Sequence, residues 1–187
     1  MDPSWTNVPV NDIWPDMSRK ERDAYCQAGH AVVALRESLE VVQVSIQDKD
    51  GASSWIDVTY PSLAQSRLKR SVTARSDAKS VIRALLAGPI AQSRYSFGAL
   101  PPDSALPDFN LADPTVFEQD VIWEAIALAG KISSDSPSLI RSLWRQVSRL
   151  IHGSEVWPAV DAVAHALLIN GELTGWEVCN FANHALR

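Results

Sequence analysis

The sequence of 187 residues has little cysteine: Cys26 and Cys179, far apart and without a C-x-x-C pair. Such a pattern does not indicate a disulfide framework and fits a reducing compartment better. No stretch approaches the ~20 consecutive apolar residues of a membrane span. The first residues, MDPSWTNVPVNDIWPDMS, lack the basic and apolar regions of a signal peptide, so a cytoplasmic location is expected. There is no excess of positive charge. Lys and Arg total 17 against 22 Asp and Glu, a net charge of −5. That balance argues against nucleic acid and anionic membrane as partners. No G-x-x-x-x-G-K-[ST] loop occurs, so ATP binding is not expected. Internal repeats and low-complexity tracts are absent as well.

What is present is an ordinary globular composition, 46% hydrophobic and 21% charged, with seven tryptophans for a core or a partner surface. Residues 1–17, with Pro3, Pro9, Pro15, Trp5 and Trp14, read as an extended arm. Residues 18–187 read as a single domain. Ser18-Arg19-Lys20-Glu21 matches a capping box and opens a helix over about 19–38, with Tyr25, Ala28, Val32, Leu35 and Leu39 at helical spacing. Val41–Ile46 and Ser54–Tyr60 are β-branched and alternating, and the turn signal Asp48–Gly51 makes them an antiparallel pair. Residues 61–76 read as a loop with some helix. A second long helix covers Asp77–Ala99, where Pro89 should kink or break it. Leu100–Pro114, with four prolines, is a loop.

Further helices are expected near 115–132, 138–151, 156–169 and 175–186. Ser136-Pro137 supplies a cap and N1 proline, Gly171 a C-terminal glycine, and Thr174–Glu177 another capping box. The fold class is therefore mainly α with a small β element.

The chemistry concentrates in the first helix. Cys26-Gln27-Ala28-Gly29-His30 is a His-Glu-x-x-His zinc-peptidase motif with two letters changed. Residues four apart share one helix face, so Cys26 and His30 can meet one metal ion, and thiolate is a good zinc ligand. Gln27 occupies the general-base position and cannot accept a proton. General-base assistance is worth roughly 10²–10⁴-fold. Read without a metal, Cys26 is a small buried hydrophobe, and a Cys26–His30 nucleophile pair is a further option.

Three blocks between residues 24 and 178 carry a resemblance. "AYCQAGHAVVAL" followed by "VVQVSI" resembles the metal-binding helix and next strand of the FtsH-type ATP-dependent zinc metalloproteases, where the helix reads Y-H-E-A-G-H-A-V-V-A. "IRALLAGPIAQSRYSFGA" resembles that family's I-x-x-x-L-A-G-R-A-A-E-x-x-x-x-G segment, with Pro89 for Arg and Gln92 for Glu. "VWPAVDAVAHALLINGELTGWEV" resembles its L-A-x-A-L-L-E-x-G-x-L-x-G-E-E-V ending.

The resemblance implies the helical fold of that peptidase domain with a short hairpin, standing without the ATPase module and membrane helices. It implies a metal site of Cys26, His30 and an Asp on a later helix. Asp120 is the nearest match, one residue out of register with Ala125 and Ala129, and Asp113 is the alternative. With Gln27 at the base position no cofactor is expected, although zinc remains an option. The implied function is a pseudo-peptidase that holds a peptide or protein partner. An active metallopeptidase with an atypical Cys/His/Asp site, and a structural or oligomer-forming domain, are the alternatives.

His152, His165 and His184 lack partners at ligand spacing; His165, in an apolar run, is expected in the core and His152 at a cation-favouring helix end. Arg67–Arg70 is a short basic cluster. Leu139, Leu143, Val147 and Leu150 fall at core spacing, and Arg141, Arg145 and Arg149 form a stripe on another face, expected as a plain solvent-exposed stripe, with docking of an acidic partner the alternative.

Overall fold

The computed structural model describes residues 18–46, 55–59, 72–98 and 119–185, without the side chains of 55–59, 72–75 and 119–120. The arm over 1–17, the Asp48–Gly51 turn, the Arg67–Arg70 cluster and the loop holding Asp113 lie outside the described residues. The chain is mostly helical with a small antiparallel sheet. In order it forms α1 (Arg19–Arg36), β1 (Glu40–Ser45), β2 (Trp55–Thr59), α2 (Val72–Phe97), α3 (Gln119–Ile132), α4 (Ser136–His152), α5 (Trp157–Asn170), β3 (Glu172–Thr174) and α6 (Gly175–Ala185).

Capping chemistry sets the helix starts. The Ser18 hydroxyl accepts from the Glu21 backbone N–H, and the Glu21 carboxylate accepts from the Ser18 backbone N–H at 2.9 Å. Thr174 and Glu177 repeat this reciprocal arrangement at α6. Each box satisfies orphan amides of a first turn. At α4 the cap is Asp135, not Ser136: its carboxylate accepts from the Ser138 N–H at 3.2 Å, which moves Pro137 to the second helical position. The α5 helix stops at Gly171, whose φ of 80° suits a residue without Cβ.

The sheet order is β2-β1-β3, all antiparallel. Val41 faces Val58 and Gln43 faces Asp57, so Val42 is an extra residue that bulges out of the ladder. The third strand was not expected. Glu172-Leu173-Thr174 is too short to show alternation, and it pairs with Gln43–Ser45 because the turn at Gly171 delivers it there.

α1 is the centre of the fold. Every residue from Ala24 to Ala34 is buried, where the apolar spacing had suggested one buried face. It is wrapped by α2, α5, α6 and the sheet, and a helix buried all round must have small or apolar residues all round. Gly29 permits the close approach of α2: a Cβ there would lie 2.6 Å from Ala91 Cβ and 2.7 Å from the Ala87 carbonyl oxygen. α2 starts at Val72 and passes through the buried Pro89 without a break. The lost N–H is one bond in a 26-residue helix whose packing on α1 holds both halves in place. α3 and α4 pack on the other side of α2. Buried residues from all six helices and from β1 and β3 join one hydrophobic core.

Candidate functional site

The altered motif lies on the buried α1, with Gly29 and His30 against α2. Cys26, Gln27 and His30 are 1%, 2% and 4% exposed. Cys26 Sγ is 3.7 Å from His30 Nε2, the neighbour relation expected for positions four apart. The other ring nitrogen, Nδ1, is 2.7 Å from the Ala84 carbonyl oxygen of α2. A carbonyl only accepts, so Nδ1 carries the proton. In the neutral ring Nε2 is then an acceptor beside the Cys26 thiol. Burial pushes the His30 pKa down from 6.5 to about 4, against the opposing pull of the Ala84 bond. The imidazole is therefore neutral at pH 7, and its charge is excluded by desolvation.

Gly88 completes the cradle. A Cβ at this position would sit 2.1 Å from His30 Nε2, 2.4 Å from Cε1 and 2.5 Å from Cδ2. These similar distances place it over the ring face, off the in-plane lone-pair axis of Nε2. Glycine at 88 is thus the space in which the imidazole lies. Sequence reasoning named the A-G-P block but not this partnership. Ala84 and Gly88, one turn apart on α2, hold a histidine from 54 residues earlier, a contact that nothing local in the sequence signals.

The neighbouring Tyr25 fastens the same helix on its α5 side. Its hydroxyl donates to Asp161 Oδ1 at 2.6 Å, and its ring stacks on Tyr95 with centroids 3.6 Å apart. Trp157 stacks on Tyr25 at 5.7 Å and carries the Arg94 guanidinium 4.2 Å above its own ring. Burial, then the bond to Asp161, raises the Tyr25 pKa, so the phenol stays protonated. This cluster ties α1, α2 and α5 together, and Arg94 also donates to the Ile151 carbonyl at the end of α4.

A zinc ion needs three protein donors and, for catalysis, an open fourth position. Cys26 and His30 supply two. Their 3.7 Å separation matches the roughly 3.5 Å between two ligands on one tetrahedral zinc, and the Nδ1–H bond to a carbonyl is the tautomer a metal-bound histidine uses. Among the described residues, no three His, Cys, Asp or Glu side chains come together as a metal group. Asp120 is the second residue of α3, and its side chain lies outside the description; Asp113 lies outside it altogether. The two donors are also shut away from solvent on a helix buried on every side. The two described donors alone, Cys26 and His30, do not make a catalytic zinc site, and Gln27 offers no proton acceptor to water.

The remaining histidines separate clearly. His165 is exposed, not in the core: Asp161, one turn earlier, shares its face and lies 3.7 Å away. His152 ends α4 half-buried, and burial, with Arg94 adding to it, lowers its pKa in opposition to the helix-end field. His184 is exposed in the last turn of α6. Cys26 and Cys179 form no disulfide. No helix among the described residues is long and apolar enough to cross a membrane.

The tryptophans divide too. Trp144 is fully buried, whereas Trp123 and Trp176 are exposed. Trp176, 74% exposed, starts α6 where Gly175 lies against β1; a Cβ on Gly175 would be 1.7 Å from the Val41 carbonyl oxygen. The bulged Val42, 43% exposed, is the next residue of β1. No known family model and no curated protein matches the chain.

Proposed function

We propose that this protein is a non-catalytic relative of the zinc peptidases it resembles, and that it holds a peptide or protein partner without cutting it. The observation that carries this reading is the burial of Cys26, Gln27 and His30 at the motif positions, with the imidazole hydrogen-bonded across the seam to Ala84. A scissile carbonyl cannot reach atoms this enclosed. The amide at position 27 would not activate water if it did. The letters of the old motif now serve helix packing.

Support for a binding role comes from the opposite kind of surface. Trp176 and Val42 expose apolar area beside the sheet, where an aromatic anchor suits a partner interface. The test uses a fluorescently labelled, reduced and carboxymethylated unfolded protein as probe. Binding without cleavage is expected, indifferent to chelator and weakened by Trp176→Ala. Cleavage that is abolished by chelator and by His30→Ala would overturn the reading.

The second reading is an active metallopeptidase with a Cys26/His30/Asp120 zinc site. What favours it is the Cys26–His30 separation and the histidine tautomer. It requires α1 and α2 to part enough to admit metal, water and substrate, and the same assay with added zinc decides between them.

A further inference from the structure

α4 is alone among the described helices in carrying no Asp or Glu. Its buried face is Ile140, Leu143, Trp144, Val147, Ser148 and Ile151. Arg141, Arg145 and Arg149 stand exposed on the other side. At four-residue spacing they form a row about 12 Å long. Like charges at this spacing repel. Several other arginines have a carboxylate or ring nearby: Arg83 is paired closely with Glu37, Arg19 and Arg36 lie within 4.0 Å of Asp23 and Glu155, and Arg94 lies on Trp157. Arg141 donates to the Ser138 hydroxyl at 3.2 Å and lies in the field of the Asp135 carboxylate at the helix N-cap, whereas Arg145 and Arg149 have no such neighbour among the described residues. No described carboxylate forms an ion pair with Arg141, Arg145 or Arg149.

We infer that the Arg141–Arg145–Arg149 row is a docking surface for an acidic helix of a protein partner, whose carboxylates recur at every fourth residue. Two such rows each repel themselves when alone, and each relieves the other on contact. All three cations are guanidiniums, whose fork matches a carboxylate with two hydrogen bonds. The row is short, bounded by Asp135 at the helix N-cap and Glu155 beyond its C-terminus. A nucleic-acid backbone would run past those ends onto a protein of net charge −5. The residues between, Ser142 and Gln146, are polar and exposed, so there is no apolar anchor and the contact is salt-sensitive. This surface involves neither the Cys26 helix nor Trp176, so it stands whether or not the chain cuts peptides.

The probe is a stapled, fluorescent helical peptide with glutamate at every fourth position. It is compared with a stapled peptide of the same composition in scrambled order and with a short DNA duplex. The in-register peptide should bind best at low salt and weaken as salt is added. Each Arg→Gln change in α4 should weaken it roughly two- to fivefold, with the thermal midpoint unchanged because these side chains are exposed. Equal binding of the scrambled peptide, tighter binding of the duplex, binding that survives all three Arg→Gln changes, or no binding at low salt would each overturn the inference.

Discussion

α1 and α4 are helices of nearly equal length, 18 and 17 residues, and they place their polar groups in opposite ways. α1 buries Cys26, Gln27 and His30, the cysteine and histidine against a seam so tight that two glycines, 29 and 88, are needed to close it. α4 divides cleanly, with its apolar face inward and its three arginines outward. The difference teaches how to weigh polar letters in a helix. On a helix surrounded by others, a cysteine and a histidine one turn apart satisfy each other and a neighbouring carbonyl. On a two-faced helix, a repeated charge that forms no salt bridge with a described carboxylate is left facing outward.

The comparison is broken most severely at Gly88. Gly88→Ala drives a Cβ into the His30 ring, which its bond to Ala84 fixes in place, and should cost about 3 kcal/mol in denaturant unfolding. Gly130→Ala, on α3 with nothing within 4 Å of the added Cβ, should instead gain about 0.5–1 kcal/mol. If both changes cost the same, the seam is not as close as described.

Acid is the next lever. His30 is neutral in the fold with a pKa of about 4, against 6.5 unfolded. Between those values the unfolded chain binds the extra proton. Stability is therefore full above pH 6.5 and falls as pH drops toward 4, by roughly 3 kcal/mol. His152, lowered by burial and then by Arg94, acts with the same sign. Glu21, Asp135 and Glu177, lowered by hydrogen bonds from Ser18, Ser138 and Thr174, lose their contributions only below about their ordinary carboxylate range. Urea midpoints across pH 4–7 should show the slope, and His30→Ala should flatten most of it while lowering stability at neutral pH.

Smaller effects sharpen the contrast. Thr174→Ala removes the α6 cap and should cost about 1 kcal/mol in thermal or urea unfolding. Arg145→Glu, which replaces two repulsive neighbours by two i,i+4 attractions, should leave stability within about 0.5 kcal/mol of the parent or raise it slightly.

Much of this arrangement was legible in the sequence where the signal is local. Ser18-x-x-Glu21 and Thr174-x-x-Glu177 announce their helices because the bonds they make are three residues long. The β1–β2 pairing followed from alternation, and the Arg row from the four-residue period. What stayed hidden depends on distant contacts. The apolar spacing of α1 marked one face, while Ala24, Gly29, Ala31 and Ala34 pack its other sides as small residues that carry no periodic signal. His165 sits in an apolar run, yet Asp161 one turn earlier turns that face outward. At the candidate site, the Cys26–His30 proximity could be read from helix geometry. The Ala84 carbonyl and the Gly88 cradle could not, because the packing of α2 on α1 supplies them.

The most direct test is zinc stoichiometry: the protein is equilibrated with zinc at neutral pH, freed of unbound metal, and analysed for zinc beside its His30→Ala variant. A buried seam predicts no tightly bound zinc in either. One zinc per chain in the parent, lost on replacing His30, would contradict it and place a metal centre where packing is now assigned.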